Sequence, residues 1–198
     1  MPALTPRTAT VTRTTRETDI TLSLVLDGTG RTSIATGIGF LDHLLTALAF
    51  HARFDLDLAC TGDLHIDDHH TAEDCALALG EAVATALGDR SGIARFAHAY
   101  APLDEALARS VVDISGRPFA RVELGLVRDT IGTLACENIT HVLSSFATAA
   151  RLTLHVDVLT GSNDHHKAEA AFKATALALR DAVARTGAGG IPSTKGTL

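Results

Sequence analysis

Two short segments with the same residue pattern carry the clearest chemical signal in this chain. Residues 69–73 read His-His-Thr-Ala-Glu, and residues 165–169 read His-His-Lys-Ala-Glu. On a helix, side chains three and four positions apart share one face, so each glutamate lies beside both histidines of its own segment. The two imidazoles of a pair point about 100° apart, which allows one pair to serve two different metal ions. The repeated pattern therefore predicts a metal site to which both segments contribute.

Two further histidines, His43 and His141, each lie in a predicted helix upstream of one histidine pair. The complete set of candidate metal ligands is His43, His69, His70, Glu73, His141, His165, His166 and Glu169. Shared between two ions, this set gives four protein ligands each and leaves positions open for water or substrate. Nitrogen and oxygen donors of this kind favour Mn²⁺, Fe²⁺ or Zn²⁺, and the residues alone do not choose among them.

The sequence around the two motifs is repeated as well. Residues 53–61 and 151–160 both alternate apolar and polar side chains, which predicts half-buried strands. Each is followed by a glycine, a polar loop, Asp-His-His and then a helix. The first of these helices is expected to end near Gly88 and the second near Gly187, because glycine commonly ends a helix. The chain is therefore interpreted as a duplicated unit.

Strand-like segments upstream of each predicted helix pair, at 20–26 and 108–114, complete a rough β–β–α–β–α pattern in each half. A sheet with helices on one face is typical of the α+β class. We expect two similar halves, each a mostly antiparallel sheet with helices on one face, and the helices of the two halves packed together. The predicted division is residues 1–91 for the first repeat and 92–198 for the second, whose C-terminal tail closes over the substrate.

Composition and charge narrow the functional classes. The formal net charge of −6 argues against general nucleic-acid binding, although a few cations can still form a local anion pocket. No apolar run approaches the length needed to cross a membrane, and residues 1–16 lack the apolar core of a signal peptide. A cytoplasmic protein that binds neither membranes nor nucleic acid is the expectation.

Several cationic and hydroxyl side chains are suited to binding a phosphate group. Arg95 and Arg117 follow Ser-Gly turns, and Lys173 lies two helical turns after the second histidine pair. Ser193 and Lys195 lie in a glycine-bracketed segment near the C-terminus, which is typical of a tail that closes on an anion. Taken separately, each of these residues is better interpreted as a surface charge or as part of a frayed terminus.

The motifs together resemble the imidazoleglycerol-phosphate dehydratase family over essentially the whole chain. The matching segments are Gly39-Phe-Leu-Asp-His43, Asp67-Asp-His-His-Thr-Ala-Glu-Asp74, Asp164-His-His-Lys-Ala-Glu169 and Pro192-Ser-Thr-Lys-Gly196. The resemblance implies a lyase of histidine biosynthesis that converts D-erythro-imidazole glycerol phosphate to imidazole acetol phosphate. In that reaction a di-metal site binds the substrate imidazole as imidazolate, and the electron-rich ring expels the neighbouring hydroxyl as water.

The same resemblance implies roles for individual residues. The eight histidines and glutamates of the candidate set become ligands of two Mn²⁺ ions per subunit, at contacts in a homo-oligomer of 24 subunits. Arg95, Arg117, Lys173, Ser193 and Lys195 match the positions that hold the substrate phosphate. Glu17 matches the acidic residue that transfers a proton.

Two alternatives remain open from the residues themselves. One is a di-metal hydrolase of a phosphorylated metabolite, which would use a metal-bound hydroxide. The other is a metal-dependent structural assembly protein, in which the ions join subunits. The candidate phosphate residues argue against the second alternative, because a purely structural metal site needs no phosphate clamp.

Overall fold

A computed structural model of the protein describes residues 5–198. The first half contains β1 (Thr8–Thr14), β2 (Thr18–Val25), β3 (Thr32–Ala35), α1 (Gly39–Ala52), β4 (Asp55–Gly62) and α2 (His69–Leu87). The second contains β5 (Phe96–Leu103), β6 (Ala106–Asp113), β7 (Phe119–Glu123), β8 (Thr130–Ile131), β9 (Leu134–Ala135), α3 (Cys136–Ala149), β10 (Thr153–Thr160) and α4 (Asp164–Ala182).

The two halves form sheets of the same topology. The first sheet has the strand order β1-β2-β4-β3, and the second has the order β5-β6-β10-β7. In each sheet only one edge pair is parallel, β3 with β4 and β7 with β10, and the other pairs are antiparallel. Strand β2 alternates fully between buried and exposed positions, so one face of its sheet meets the helices and the other faces outward.

The four helices lie between the sheets and pack in pairs that combine the two halves. Helices α1 and α2 contact the first sheet, and α3 and α4 contact the second. Helix α2 packs against α3, and α1 packs against α4. Leucine and alanine dominate the shared core, and Phe54, Phe146 and Phe172 are its fully buried aromatic side chains. The expected α+β class, with two similar halves and packed helices, is confirmed.

Two local predictions were wrong. The β–β–α–β–α pattern undercounts the strands, because β3 is only four residues long and the β8–β9 ribbon only two residues per strand. Helix α4 ends at Ala182 and not near Gly187. The backbone at and after the end of α4 is instead hydrogen-bonded to residues 92–95. The Ala94 amide donates to the Ala184 carbonyl, and the Arg95 amide donates to the Ala182 carbonyl.

None of the helices within residues 5–198 combines the length and the apolar character required of a bilayer-spanning segment.

Candidate metal centres

The first candidate metal centre lies between α1 and α4. His43 on α1 and His165 on α4 face the Glu169 carboxylate, with His Nε2 to Glu Oε2 distances of 2.8 and 3.3 Å respectively. The donor atoms of these three residues all lie within 4.8 Å of one another. Lys173, one turn further along α4, places its Nζ 2.5 Å from Glu169 Oε1. Burial opposes the ionisation of Glu169, but hydrogen bonds from Lys173 and His43 outweigh it and lower the pKa of this carboxyl to about 2.

The second candidate centre lies between α2 and α3 and has the same composition. His69 Nε2 is 3.7 Å from Glu73 Oε2, and His141 Nε2 is 3.1 Å from Glu73 Oε1. The donor atoms of this group also lie within 4.8 Å of one another. Buried Asn138 on α3 accepts a hydrogen bond from His69 Nδ1 at 2.9 Å, which leaves Nε2 facing the cluster. Sequence reasoning missed Asn138, since a lone asparagine in a helix has no distinctive pattern.

Each centre draws ligands from both halves of the chain, because the helices pack in mixed pairs. Two imidazoles and one carboxylate, converging within a few ångströms and reachable from solvent, fit a divalent first-row ion. A structural zinc site would be closed by four protein ligands. Three convergent donors leave room for a further ligand and for substrate, as a catalytic site requires.

His70 and His166 do not join these clusters. The ring centroids within each histidine pair are 6.0 Å apart for His69 and His70 and 6.1 Å apart for His165 and His166, with nearly perpendicular planes. His70 Nδ1 lies 3.0 Å from Asp63 Oδ2, and His166 Nδ1 lies 2.7 Å from Glu105 Oε2.

Those hydrogen bonds to carboxylates are the largest cause of the raised pKa values of both His70 and His166. The bond from His166, together with backbone N–H groups that include that of Asn163, lowers the pKa of Glu105 to about 2. Sequence reasoning missed Glu105 and Asp63, since neither lies in a recurring motif.

Glu17 lies in the turn between β1 and β2, on the exposed side of His70. Its Oε1 is 3.8 Å from His70 Nε2, and half of the side chain is accessible to solvent. The turn is fixed on α2 by Asp74, which accepts hydrogen bonds from the Thr18 hydroxyl and the Arg13 guanidinium. Asp74 is buried, so the turn that presents Glu17 is anchored directly beside Glu73.

The aspartates that precede the histidine pairs accept hydrogen bonds from the backbone amides of neighbouring segments. Asp68 accepts a hydrogen bond from the Ala135 amide at 2.6 Å, which ties the start of α2 to the start of α3. Asp164 is buried and accepts from the amides of Val127 and Arg128 at 2.8 and 2.7 Å. Within residues 5–198, neither carboxylate caps its helix or accepts a hydrogen bond from an imidazole. Asn163 caps α4 instead, accepting from the His165 amide.

The candidate phosphate-binding residues fall into separate groups. Lys173 belongs to the first metal centre, through Glu169. Arg95 donates to Asp113 at 2.8 Å and to the Pro192 carbonyl at 2.8 Å, so it contacts the C-terminal tail near Ser193.

Arg117 and Lys195 are exposed, and the Lys195 amide donates to the Ser193 hydroxyl. Arg117 follows Gly116, which lies against the backbone of Leu198 in the tail. Arg95 and Arg117 therefore both adjoin the C-terminal tail, whereas Lys173 is bound to Glu169.

The fold and the two centres define a duplicated α+β protein with a pair of candidate di-histidine–carboxylate metal sites. The family model described as imidazoleglycerol-phosphate dehydratase matches residues 36–179 of the chain. The chain belongs to this family. It is an enzyme of that class, a lyase of histidine biosynthesis that acts on a phosphorylated imidazole.

Individual relatives agree with this assignment. The chain is 62% identical to imidazoleglycerol-phosphate dehydratase of Phytophthora nicotianae over 97% of its length, but it spans only 42% of that longer relative. It is 56% identical to the Pyricularia oryzae protein of the same name, with 98% of each chain covered. The crystal structure of the Pyrococcus furiosus protein is similar at a TM-score of 0.82 and 37% identity, covering 95% of this chain and 100% of that one.

Proposed function

We propose that this chain dehydrates D-erythro-imidazole glycerol phosphate to imidazole acetol phosphate at a site containing two metal ions. The observation that carries the proposal is the pair of matching centres, His43 with His165 and Glu169, and a second of the same composition. A single surface cluster of this kind is common without a metal, whereas two that repeat across an internal duplication indicate a shared chemical task. Family membership favours the dehydratase over a di-metal hydrolase or a structural assembly protein.

The proposed ions are two Mn²⁺ per subunit, although the donor set suits Zn²⁺ and Fe²⁺ as well. The ligands are the three residues of each centre, completed by His70 and His166. Because these two histidines point away from the centres of their own chain, we assign them to centres formed with neighbouring copies. This arrangement explains why the two imidazole rings of each histidine pair point in different directions.

When bound, the metal ions orient the substrate imidazole and stabilise the charge that develops on it. The chain's own residues supply the proton transfer and the positioning. Glu17 is the proposed proton-transfer group, because its carboxylate is exposed and lies beside His70 Nε2. The proposed phosphate clamp is formed by Arg95, Arg117, Lys173, Ser193 and Lys195.

The proposed assembly is a homo-oligomer of 24 subunits. The outer face of the second sheet supports self-association, because Phe96, Val111 and Phe119 expose 59%, 40% and 55% of their surfaces there. The corresponding face of the first sheet carries mainly Thr and Ser side chains, such as Thr10 and Ser23. The repeat boundary at residues 91 and 92, and closure of the tail over substrate, remain predictions within this proposal.

The test is to replace the carboxylates of both centres, Glu73 and Glu169, by glutamine, one at a time and together. Bound Mn²⁺ is counted by equilibrium dialysis, and turnover of imidazole glycerol phosphate is measured in parallel. Each single variant should lose tight binding of one ion and most activity. Full metal occupancy and activity in the double variant would contradict the proposed centres.

A further inference from the structure

His70 and His166 share a hydrogen-bonding arrangement that the ligand assignment does not require. Each ring presents Nδ1 to an inner carboxylate, Asp63 at 3.0 Å and Glu105 at 2.7 Å. Each ring turns Nε2 towards the more open side, where the next carboxylates, Glu17 and Asp104, lie 3.8 and 3.9 Å away. The same geometry therefore occurs twice, once in each repeat.

An ionised carboxylate can only accept hydrogen bonds, so a neutral imidazole that contacts it through Nδ1 must carry its hydrogen on that atom. The lone pair is then on Nε2, the atom left for a metal. We propose that Asp63 and Glu105 are positioning residues that hold His70 and His166 as Nδ1–H tautomers, ready to bind a metal ion through Nε2. This inference rests on the proposed ligand role of the two histidines.

The two repeats reach this arrangement from different positions. Glu17 directly precedes β2, whose first residue pairs with Gly62, and Glu105 directly precedes β6, whose first residue lies against Gly161. Glu17 and Glu105 are therefore equivalent positions in the duplication. The residue after Gly62 is Asp63, whereas the residue after Gly161 is Ser162, which has no carboxylate.

Two roles, positioning the histidine and transferring a proton, are therefore divided between two carboxylates in the first repeat and are not divided in the second. In the second repeat Glu105 itself turns inward to hold His166. In the first repeat Asp63 holds His70, and the equivalent Glu17 stays exposed on the Nε2 side. The presence of Asp63 thus leaves Glu17 available for proton transfer, while Glu105 is committed to positioning.

Glu105→Gln gives a sharp test, because one of the two carboxylate oxygens of Glu105 is already held by backbone amides. Glu105 Oε1 accepts from the amides of Ser162 and Asn163 at 3.1 and 2.8 Å, so the carbonyl oxygen of a glutamine must remain there. Its amide NH₂ then faces His166 Nδ1 and can only donate. That contact favours the Nε2–H tautomer, in which the proposed metal-binding atom carries a hydrogen.

The experiment measures Mn²⁺ binding to the full-length protein by equilibrium dialysis, with free Mn²⁺ quantified by electron paramagnetic resonance. Glu105→Gln should weaken one class of site about 10- to 100-fold, the range typical of groups that orient a metal-binding histidine. The matched control is Glu81→Gln, an exposed α2 position, which should bind Mn²⁺ as the parent does. Melting temperatures of the metal-free proteins verify that each variant folds.

A second pair of variants tests the first repeat independently of the loop that Glu105 supports. Asp63→Ala removes the acceptor and should weaken binding about 10- to 100-fold. Asp63→Asn should weaken it less, because the second oxygen of Asp63 has no hydrogen-bond partner among residues 5–198 and the amide can turn its carbonyl to His70. Equal affinity in Asp63→Ala and the parent would overturn the inference for this repeat.

His166→Ala separates the inference from the proposal on which it rests. Weakened binding in His166→Ala with parental affinity in Glu105→Gln would overturn the positioning role and leave the ligand role intact. Parental affinity in His166→Ala would show that the ligand assignment itself is wrong, and the positioning role with it.

Discussion

Glu17 and Glu105 occupy equivalent places in the two repeats, yet their surroundings give them different capabilities. Glu105 is held by His166 and by two backbone amides, whereas the Glu17 side chain is half exposed beside His70. A carboxylate that transfers a proton must be free to reach its partner. The contacts of each side chain therefore distinguish two glutamates that occupy equivalent positions before β2 and β6.

Replacement of Glu17 by glutamine should lower kcat by about 100- to 10,000-fold, the usual contribution of a general acid or base. Mn²⁺ binding should be unchanged, because Glu17 lies beside His70 and is not one of the eight proposed ligands. Steady-state kinetics and a metal count on the same preparation provide the measurement, with Glu81→Gln as the control. Loss of bound metal in Glu17→Gln would indicate a ligand role and contradict this assignment.

Lys195 is an exposed cation in the tail, and its replacement by alanine tests the phosphate clamp. We expect a KM for the phosphorylated substrate raised about tenfold, since loss of one charge-assisted hydrogen bond costs about 1.5–3 kcal/mol. Subunit assembly should remain intact, as judged by light scattering. Thr197→Ala in the same tail is the control. A dissociated assembly with unchanged KM would assign Lys195 to a subunit contact.

At the scale of elements, the helix crossing of α2 and α3 depends on one glycine. A Cβ atom at Gly80 would lie 2.6 Å from the Phe146 carbonyl oxygen and 2.7 Å from Ala149 Cβ. Gly80→Ala should therefore destabilise the protein by about 1–3 kcal/mol, the usual cost of overpacking. Gly39→Ala on α1 is the control, because a Cβ there meets nothing within 4 Å. Equal melting temperatures of the two variants would refute the close crossing.

A single carboxylate, Asp55, organises the loop between β2 and β3. It accepts hydrogen bonds from the amides of Thr29, Gly30 and Arg31 and from the Arg31 guanidinium. Burial opposes its ionisation, but these bonds outweigh burial and lower the pKa of Asp55 well below its usual value of 3.8. A lowered carboxyl pKa stabilises the folded state above the unfolded pKa, and the stabilisation is lost as the pH falls towards the folded pKa.

Asp55→Asn should consequently reduce the free energy of unfolding by about 1–3 kcal/mol at neutral pH, where the charged acceptor is lost. The difference from the parent should shrink as the pH falls below about 4. Urea denaturation of the metal-free proteins at several pH values measures this difference in the free energy of unfolding. A difference that stays constant into the acid range would mean that the ionised carboxylate is not what stabilises this loop.

The sequence predicted the long elements and singled out the histidine and glutamate motifs that form the two clusters, and the role of these residues as metal ligands stays a prediction. Alternation in residues 151–160 is a strong local signal, because burial on one face imposes it. The motifs of 69–73 and 165–169 stand out because the same spacing occurs twice. Strand β3 is a short edge strand without such a signal. The Asn138 and Glu105 contacts depend on tertiary packing that no local pattern encodes.

At the scale of the whole molecule, self-association is expected through the outer face of the second sheet. Phe119→Lys should reduce the assembly size measured by light scattering, because it places a charge on the same outer face that exposes Val111 and Phe96. Thr10→Lys, on the outer face of the first sheet, is the matched control. Unchanged mass in Phe119→Lys would direct the search for the interface to another face.

Assembly and activity should be linked, because His70 and His166 point away from the centres of their own chain. A subunit that cannot associate should retain the cluster of His43 with His165 and the cluster of His69 with His141. It should lose the ligands that neighbouring copies supply through His70 and His166. The dissociated Phe119→Lys protein should therefore bind Mn²⁺ more weakly and turn over little substrate. Full activity in dissociated subunits would contradict metal sites shared between copies.

Metal-dependent dehydration can be followed in a single assay of product formation. Metal-stripped protein is incubated with imidazole glycerol phosphate, and formation of imidazole acetol phosphate is followed before and after addition of Mn²⁺. We expect negligible product without metal and recovery of turnover as two ions bind per subunit. Folded, Mn²⁺-loaded protein that forms no product, or metal-stripped protein that is fully active, would contradict metal-dependent dehydration.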